Sequence, residues 1–302
     1  VTLPLILLKI IFITIDIVYT LFQVVIQERF ISQDSVAVAI AVGTFSHQLI
    51  LISFLSLYTL TFVLIDFNFL YRLWAIKTPE RINLFSNFWF VYVLVVTALI
   101  EYSGWFFITY NFYFATDHGR MIIRNVTFDK FGLDSIERDM VMGDYFNEDG
   151  SRTWHTIVAV SYYCSVLAIC FGFMIYASVN IASCLRNSKL ISKKALSMQK
   201  QMFFTLSAQT LIPFILLYCP CGIIIVFPFF GLNAEFVADI SPLLLSLFLP
   251  LDAIAVLYIM KDYRRAVTQF MRCRRSSSTI ILSNANNSNT AKTSTIQRKS
   301  TV

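Results

Sequence analysis

The chain has 302 residues, a net charge of +6 and a mean hydropathy of +0.68, with 57% hydrophobic and only 14% charged residues. Soluble domains carry about 25% charged residues, so this chain could not cover a globule of its size with polar surface, and lipid is the better solvent for it. Most of its basic residues lie in loops between apolar runs rather than on one face, which argues against a nucleic-acid partner.

Six runs are long enough to cross a bilayer, at about 3–25, 36–65, 86–110, 154–184, 202–230 and 236–260. They are apolar all round, as in Leu49-Ile50-Leu51-Ile52, where a soluble helix would keep a polar back. The sequence therefore predicts an all-α, polytopic membrane helix bundle. No small-residue cleavage site follows the first run, so it is not read as a signal peptide. The second run exceeds what a bilayer needs and is expected to tilt or to extend past the membrane.

Lysine and arginine fix the orientation. The loops 66–85 and 185–201 with the tail after 260 hold seventeen basic residues, and the loops 26–35, 111–153 and 231–235 hold six. The first set is placed in the cytoplasm, and 111–153 becomes an extracellular loop. That loop contains Asn125-Val126-Thr127, an N-glycosylation sequon that makes Asn125 a candidate acceptor.

Beyond the last run, Tyr263, Ala266, Val267, Phe270 and Met271 recur at helical spacing with basic residues between them. Residues 261–275 are thus expected to form an amphipathic helix on an anionic inner leaflet. Cys273 would lie at that interface, either as a palmitoylation target or as an ordinary free thiol. Residues 276–302, rich in Ser, Thr and Asn, are expected to be disordered.

Ionisable residues inside spans are costly and so are functional candidates: Asp16, His47, Glu101 and Asp252. Arg72 is either a positive-inside anchor or a switch that changes partner when helices move. Pro213, Pro220, Pro228, Pro242 and Pro250 are either static kinks or hinges. No HExxH, GxSxG or P-loop occurs, and there is no selectivity-filter sequence or arginine ladder. No enzyme activity, cofactor or metal is expected.

The block Gln209-Thr210-Leu211-Ile212-Pro213-Phe214-Ile215, Tyr218-Cys219-Pro220-Cys221-Gly222, Phe227-Pro228-Phe229-Phe230-Gly231, Leu249-Pro250-Leu251-Asp252-Ala253 and Lys261-Asp262-Tyr263-Arg264-Arg265 resembles the last two helices of a known family. That family is the nematode seven-transmembrane chemoreceptors of serpentine receptor class r, the Str/Srj group. Phe69-Leu70-Tyr71-Arg72-Leu73-Trp74 resembles the family's aromatic motif at the inner end of its third helix, with Leu73 in place of the more usual aromatic. The resemblance covers nearly the whole chain, matches its six runs to helices two to seven, and places the first helix ahead of Val1.

The resemblance implies a G-protein-coupled receptor in the plasma membrane of a chemosensory neuron, detecting a small-molecule odorant. Its partners would be that odorant, a heterotrimeric G protein and the bilayer. Candidate ligand contacts in the outer half are His47, Glu101, Tyr102, Trp105, Trp154, His155, Tyr162, Tyr163, Tyr218 and Phe227, each of which could instead be packing. Tyr71, Arg72, Lys193 and Lys194 are candidates for G-protein coupling. Ser276, Ser277, Ser278 and Thr279 are candidate phosphorylation sites. The alternative is a transporter or channel subunit with Asp16, Glu101 and Asp252 along an ion path.

Overall fold

The computed structural model describes residues 3–43, 47–187, 193–261, 264–266 and 268–269. The chain divides into two units, Val1–Asp252 and Ala253–Val302. In the first, α1 (Leu3–Ile26) leads into a hairpin of β1 (Glu28–Gln33) and β2 (Val36–Ala41). Next come α2 (Gln48–Lys77), a short 3-10 segment, α3 (Phe88–Phe112), α4 (Asp117–Phe131) and β3 (Met140–Asp144). Then follow α5 (Trp154–Asn187), α6 (Lys193–Pro213), a π turn at Phe214–Tyr218, α7 (Cys219–Val226) and α8 (Glu235–Ile259), which continues into the second unit.

Four helical segments are long and apolar enough to cross a membrane among the described residues: Gln48–Lys77, Phe88–Phe112, Trp154–Arg186 and Leu196–Phe230. The pair Glu235–Phe248 and Pro250–Ile259 makes a fifth if taken as one span. Only 6% of the apolar window in Phe88–Phe112 is buried by the rest of the chain. Phe88, Trp89, Leu99 and Ile100 stand exposed along it. In water such a face would collapse or aggregate, so hydrocarbon has to cover it.

Helix α2 is the central helix, packing on α1, α3, α5 and α6. His47 caps its start, with Nδ1 accepting a hydrogen bond from the Leu49 amide at 3.3 Å. At Pro213 the missing N–H interrupts the helical ladder, and the chain passes through the π turn before α7 resumes.

The sequence expectation of one helix over 36–65 is not met. Residues 36–41 form β2, and the helix begins twelve residues later than expected, at Gln48. The apolar run misled because β2 is buried on both faces. Val36, Val38 and Ile40 point to one side and pack with Ile31, Met140, Met142 and Ile123 of α4. Ala37, Ala39 and Ala41 point to the other side and join the bundle core with Phe30 and Val141. A sheet layered between a helix and a bundle is apolar throughout and lacks the polar alternation of a half-exposed strand.

The three strands form an antiparallel sheet in the order β1-β2-β3, in register from Glu28 opposite Ala41 to Gln33 opposite Val36, and from Val36 opposite Asp144 to Ile40 opposite Met140. A two-residue turn at Asp34-Ser35 closes the hairpin, with Asp34 in the left-handed region at φ 49°. In β3, Gly143 leaves room for the Tyr113 ring, which a side chain there would strike. The fold is therefore mostly helical, and the all-α expectation is corrected by this sheet. The stretch 111–153 is likewise a folded layer, because it contains α4 and β3.

In the second unit, the described residues after α8 include Arg264, whose guanidinium donates to the Tyr258 carbonyl at 3.5 Å, and Thr268, whose hydroxyl donates to the Arg264 carbonyl at 2.9 Å. The expected surface helix at 261–275, Cys273 and the serines and threonine at 276–279 lie largely or wholly outside the described residues.

Candidate functional site

Beneath the inner face of the sheet, the bundle forms a cavity of about 120 Å³. Phe30, Ala37, Ala39 and Val141 form its roof. It exists there because Ala37 and Ala39 place only methyl groups where the neighbouring strand positions carry branched side chains. The walls come from Tyr58, Thr59 and Phe62 of α2, Trp105 and Thr109 of α3, Tyr163 and Cys164 of α5, and Leu217, Tyr218 and Cys221 around the π turn.

The aromatic walls are locked together. Trp105 stacks on Tyr163 with ring centres 4.3 Å apart, and Phe62 stacks on Tyr218 at 3.6 Å. The Thr109 and Tyr163 hydroxyls share a hydrogen bond of 2.8 Å, so neither of these polar tips is left bare in the apolar wall. The Tyr113 and Tyr145 hydroxyls lie 3.3 Å apart, and Tyr145 also donates to the Ile225 carbonyl. This last bond ties the segment after β3 to α7.

The roof is anchored at two further points. Glu28, on the inner face of β1 and only 4% exposed, accepts a hydrogen bond from the Tyr58 hydroxyl at 2.9 Å through Oε1. Its Oε2 is buried with no hydrogen-bond partner among the described residues. Burial pushes the Glu28 carboxyl up to about 8, against the opposing effects of the Tyr58 hydrogen bond and the Arg29 charge. At the opposite edge, Asp144 Oδ2 accepts from Thr116 at 2.7 Å and lies 3.0 Å from His118 Nδ1, which fastens α4 to β3.

Of the ten residues that sequence reasoning proposed as ligand contacts, the cavity brings together Trp105, Tyr163 and Tyr218. His47 is an exposed cap of α2. Trp154 is 69% exposed and Phe227 is also exposed. Glu101, Tyr102, His155 and Tyr162 are half-buried and do not line the cavity. Tyr162 meets Trp105 edge-on at 6.4 Å, and His155 packs on Phe114 at 4.6 Å. The reading missed Tyr58, Thr109 and Tyr113, and also the whole sheet roof.

At the other end of α2, the Arg72 guanidinium reaches Met202 Sδ at 3.1 Å and lies 5.9 Å from the Tyr71 ring. Asp66 does not pair with it. Asp252 accepts from Gln209 at 3.3 Å. Lys193 and Lys194 begin α6, and the Asp16, Lys193 and Lys194 side chains lie outside what is described. Asn125 is exposed on α4, and the Thr127 hydroxyl of its sequon is buried and bonded to the Ile123 carbonyl at 2.8 Å.

The described residues thus form a helical bundle of membrane-spanning type with an apolar cavity under a folded cap. The family model described as serpentine type 7TM GPCR chemoreceptor Str matches residues 7–268, and the chain belongs to that family. Among curated proteins it is similar to Serpentine receptor class r-10 of Caenorhabditis elegans, 25% identical over 72% of this chain and 65% of that protein. The protein of the same name from Caenorhabditis briggsae matches to the same extent. G-protein coupled receptor str-33 of Caenorhabditis elegans is 22% identical over 74% of this chain and 66% of its own length. The chain thus spans about two thirds of the relatives it matches. No solved structure matches it.

Proposed function

We propose that the chain is a chemosensory G-protein-coupled receptor whose small, mainly apolar ligand occupies the cavity under the sheet. The observation that carries this reading is the cavity itself. At about 120 Å³ it approaches the ~150 Å³ apolar cavities that take up benzene-sized molecules. Its aromatic and aliphatic walls suit an apolar odorant, since the Tyr58, Thr59 and Thr109 hydroxyls along them are already bonded to Glu28, the Ser56 carbonyl and Tyr163. The sheet end faces outward and the basic loops face the cytoplasm, in accord with the lysine and arginine distribution. The complete receptor then sits in the plasma membrane, with Asn125 as a glycosylation site.

Ligand binding shifts two helix arrangements by its differential affinity for them. Helix α2 lines the cavity at Tyr58 and carries Tyr71 and Arg72 at its far end, so it is the element that transmits the shift. A heterotrimeric G protein receives it at Tyr71, Arg72 and the start of α6 near Lys193 and Lys194. Phosphorylation at Ser276 to Thr279 adds negative charge and ends signalling, and palmitoylation at Cys273 holds the tail to the membrane.

The test is an odorant screen on cells expressing the full-length receptor, read out by cAMP, cGMP or calcium. The expected result is a response that Ala39→Phe abolishes at unchanged surface expression. Retention of the full response in Ala39→Phe refutes the cavity as the site. Ligand-evoked current in a bilayer without G protein favours the transporter or channel alternative.

A further inference from the structure

The cavity is closed toward the sheet end by two layers. Phe30, Ala37, Ala39 and Val141 are all buried, and the far side of the sheet is covered by α4. A ligand arriving from the water on that side would have to displace the sheet. That displacement would break the Glu28–Tyr58 and Tyr145–Ile225 hydrogen bonds together.

On its flank the cavity is less closed. Of the residues that line it, Cys164 alone is exposed. Leu167 on the same helix is half-buried, as are Gly222 and Ile225 on α7. Gly222 has no side chain, and a β-carbon there would meet nothing within 4 Å. Helix α5 packs on α2, α3 and α6, whereas α7 packs on β1 and on the turns at its own two ends. Among the described residues α5 and α7 make no more than slight contact, and the thinly packed gap between them has cavity-lining residues on both edges.

The depth of this gap decides what it faces. Cys164 lies ten residues into α5, about 15 Å from its start at 1.5 Å per residue, a depth within reach of a hydrocarbon core about 30 Å thick. Its helix neighbours Ala168, Ile169 and Gly172 are exposed on the same side, which marks the lipid-facing stripe of α5.

We propose that ligands reach the cavity sideways from the bilayer, through a window between α5 and α7 edged by Cys164, Leu167, Gly222 and Ile225. This rests on the cavity being the ligand site. It narrows the ligand class to molecules that partition into membrane, such as short alkyl or aromatic compounds with at most one or two weak polar groups. The lipid concentrates them, and the folded sheet never has to open.

The test uses an aliphatic diazirine as probe, supplied in donor vesicles to the full-length receptor in proteoliposomes and flashed after increasing delays. Labelled residues are located by mass spectrometry. Tyr58, buried and cavity-lining, reports the interior, and Ile169, 72% exposed, reports the lipid face. The unsubstituted receptor should label at both. Gly222→Phe fills the window from α7 and Cys164→Phe fills it from α5. Each should cut early labelling of Tyr58 by about tenfold, a barrier rise of about 1.4 kcal/mol, and leave Ile169 labelling unchanged. Two substitutions on opposite walls keep the test open if one of them fails to fold, which a melting curve will show. Unchanged Tyr58 labelling in a folded variant overturns the window and leaves the cavity standing. No Tyr58 labelling at any delay in the unsubstituted receptor overturns the cavity as the site, and the window with it.

Discussion

Glu28→Gln should stabilise the folded receptor at neutral pH. The Glu28 carboxyl is buried near Tyr58, Tyr19 and Cys221, and burial pushes it up to about 8 from an ordinary 4.5 against the Tyr58 hydrogen bond and the charge of the exposed Arg29. The folded chain therefore keeps a proton there that the unfolded chain releases. Stability falls as pH rises from about 4.5 and levels off above about 8, because the folded state binds the extra proton throughout that window. At pH 7, holding the carboxyl neutral costs about 3 kcal/mol at 1.36 kcal/mol per unit. Glutamine is neutral at every pH, and its carbonyl still accepts from the Tyr58 hydroxyl. The purified receptor should melt on the order of 5 °C higher as Glu28→Gln at pH 7. The two melting curves should converge near pH 4.5 and separate progressively up to pH 8. Parallel curves across that range, or a glutamine variant that melts lower at pH 7, would refute the argument that Glu28 is held as the neutral acid.

Tyr145→Phe removes the hydroxyl that meets Tyr113 and the Ile225 carbonyl; it should cost about 1–2 kcal/mol, measured by thermal melting, and should speed hydrogen exchange in β3. Lys130→Ala breaks the contacts to Asp239 at 2.8 Å and Glu235 at 2.9 Å. All three side chains are more than a quarter exposed, so melting should fall by no more than about 1 kcal/mol, and by less in high salt. Arg72→Ala should keep surface expression and lower ligand-evoked signalling by about tenfold or more, a loss of about 1.4 kcal/mol of coupling. Normal signalling by that variant rules out a switch role for Arg72.

The sequence could reveal the solvent but not the cap. Charge scarcity and unbroken apolarity made lipid the necessary surroundings, and the exposed face of α3 bears this out. The same apolarity hid β2, because hydropathy alone does not separate a strand buried on both faces from the helix that follows it. A signal was present in Val36-Ala37-Val38-Ala39-Ile40-Ala41, where branched and small residues alternate with a period of two. That alternation is also what makes the cavity, since the alanines leave the space that branched residues would fill. The missed site residues follow from the same cause. Tyr58 sits in the middle of an apolar run and becomes distinctive only because β1 brings Glu28 to it from thirty positions away. Tyr113 lies just past the end of a span and enters the site only because Gly143 lets a ring cross the strand. Trp105, Tyr163 and Tyr218 were legible because helix direction alone puts them in the half of the bundle where the cavity lies. His47 and Trp154 belong to the same half but sit at helix starts, where a side chain meets the backbone or the solvent before it can meet a cavity. Depth along the helix is readable from sequence, and the inward or outward facing of a residue follows only once the packing partners are known.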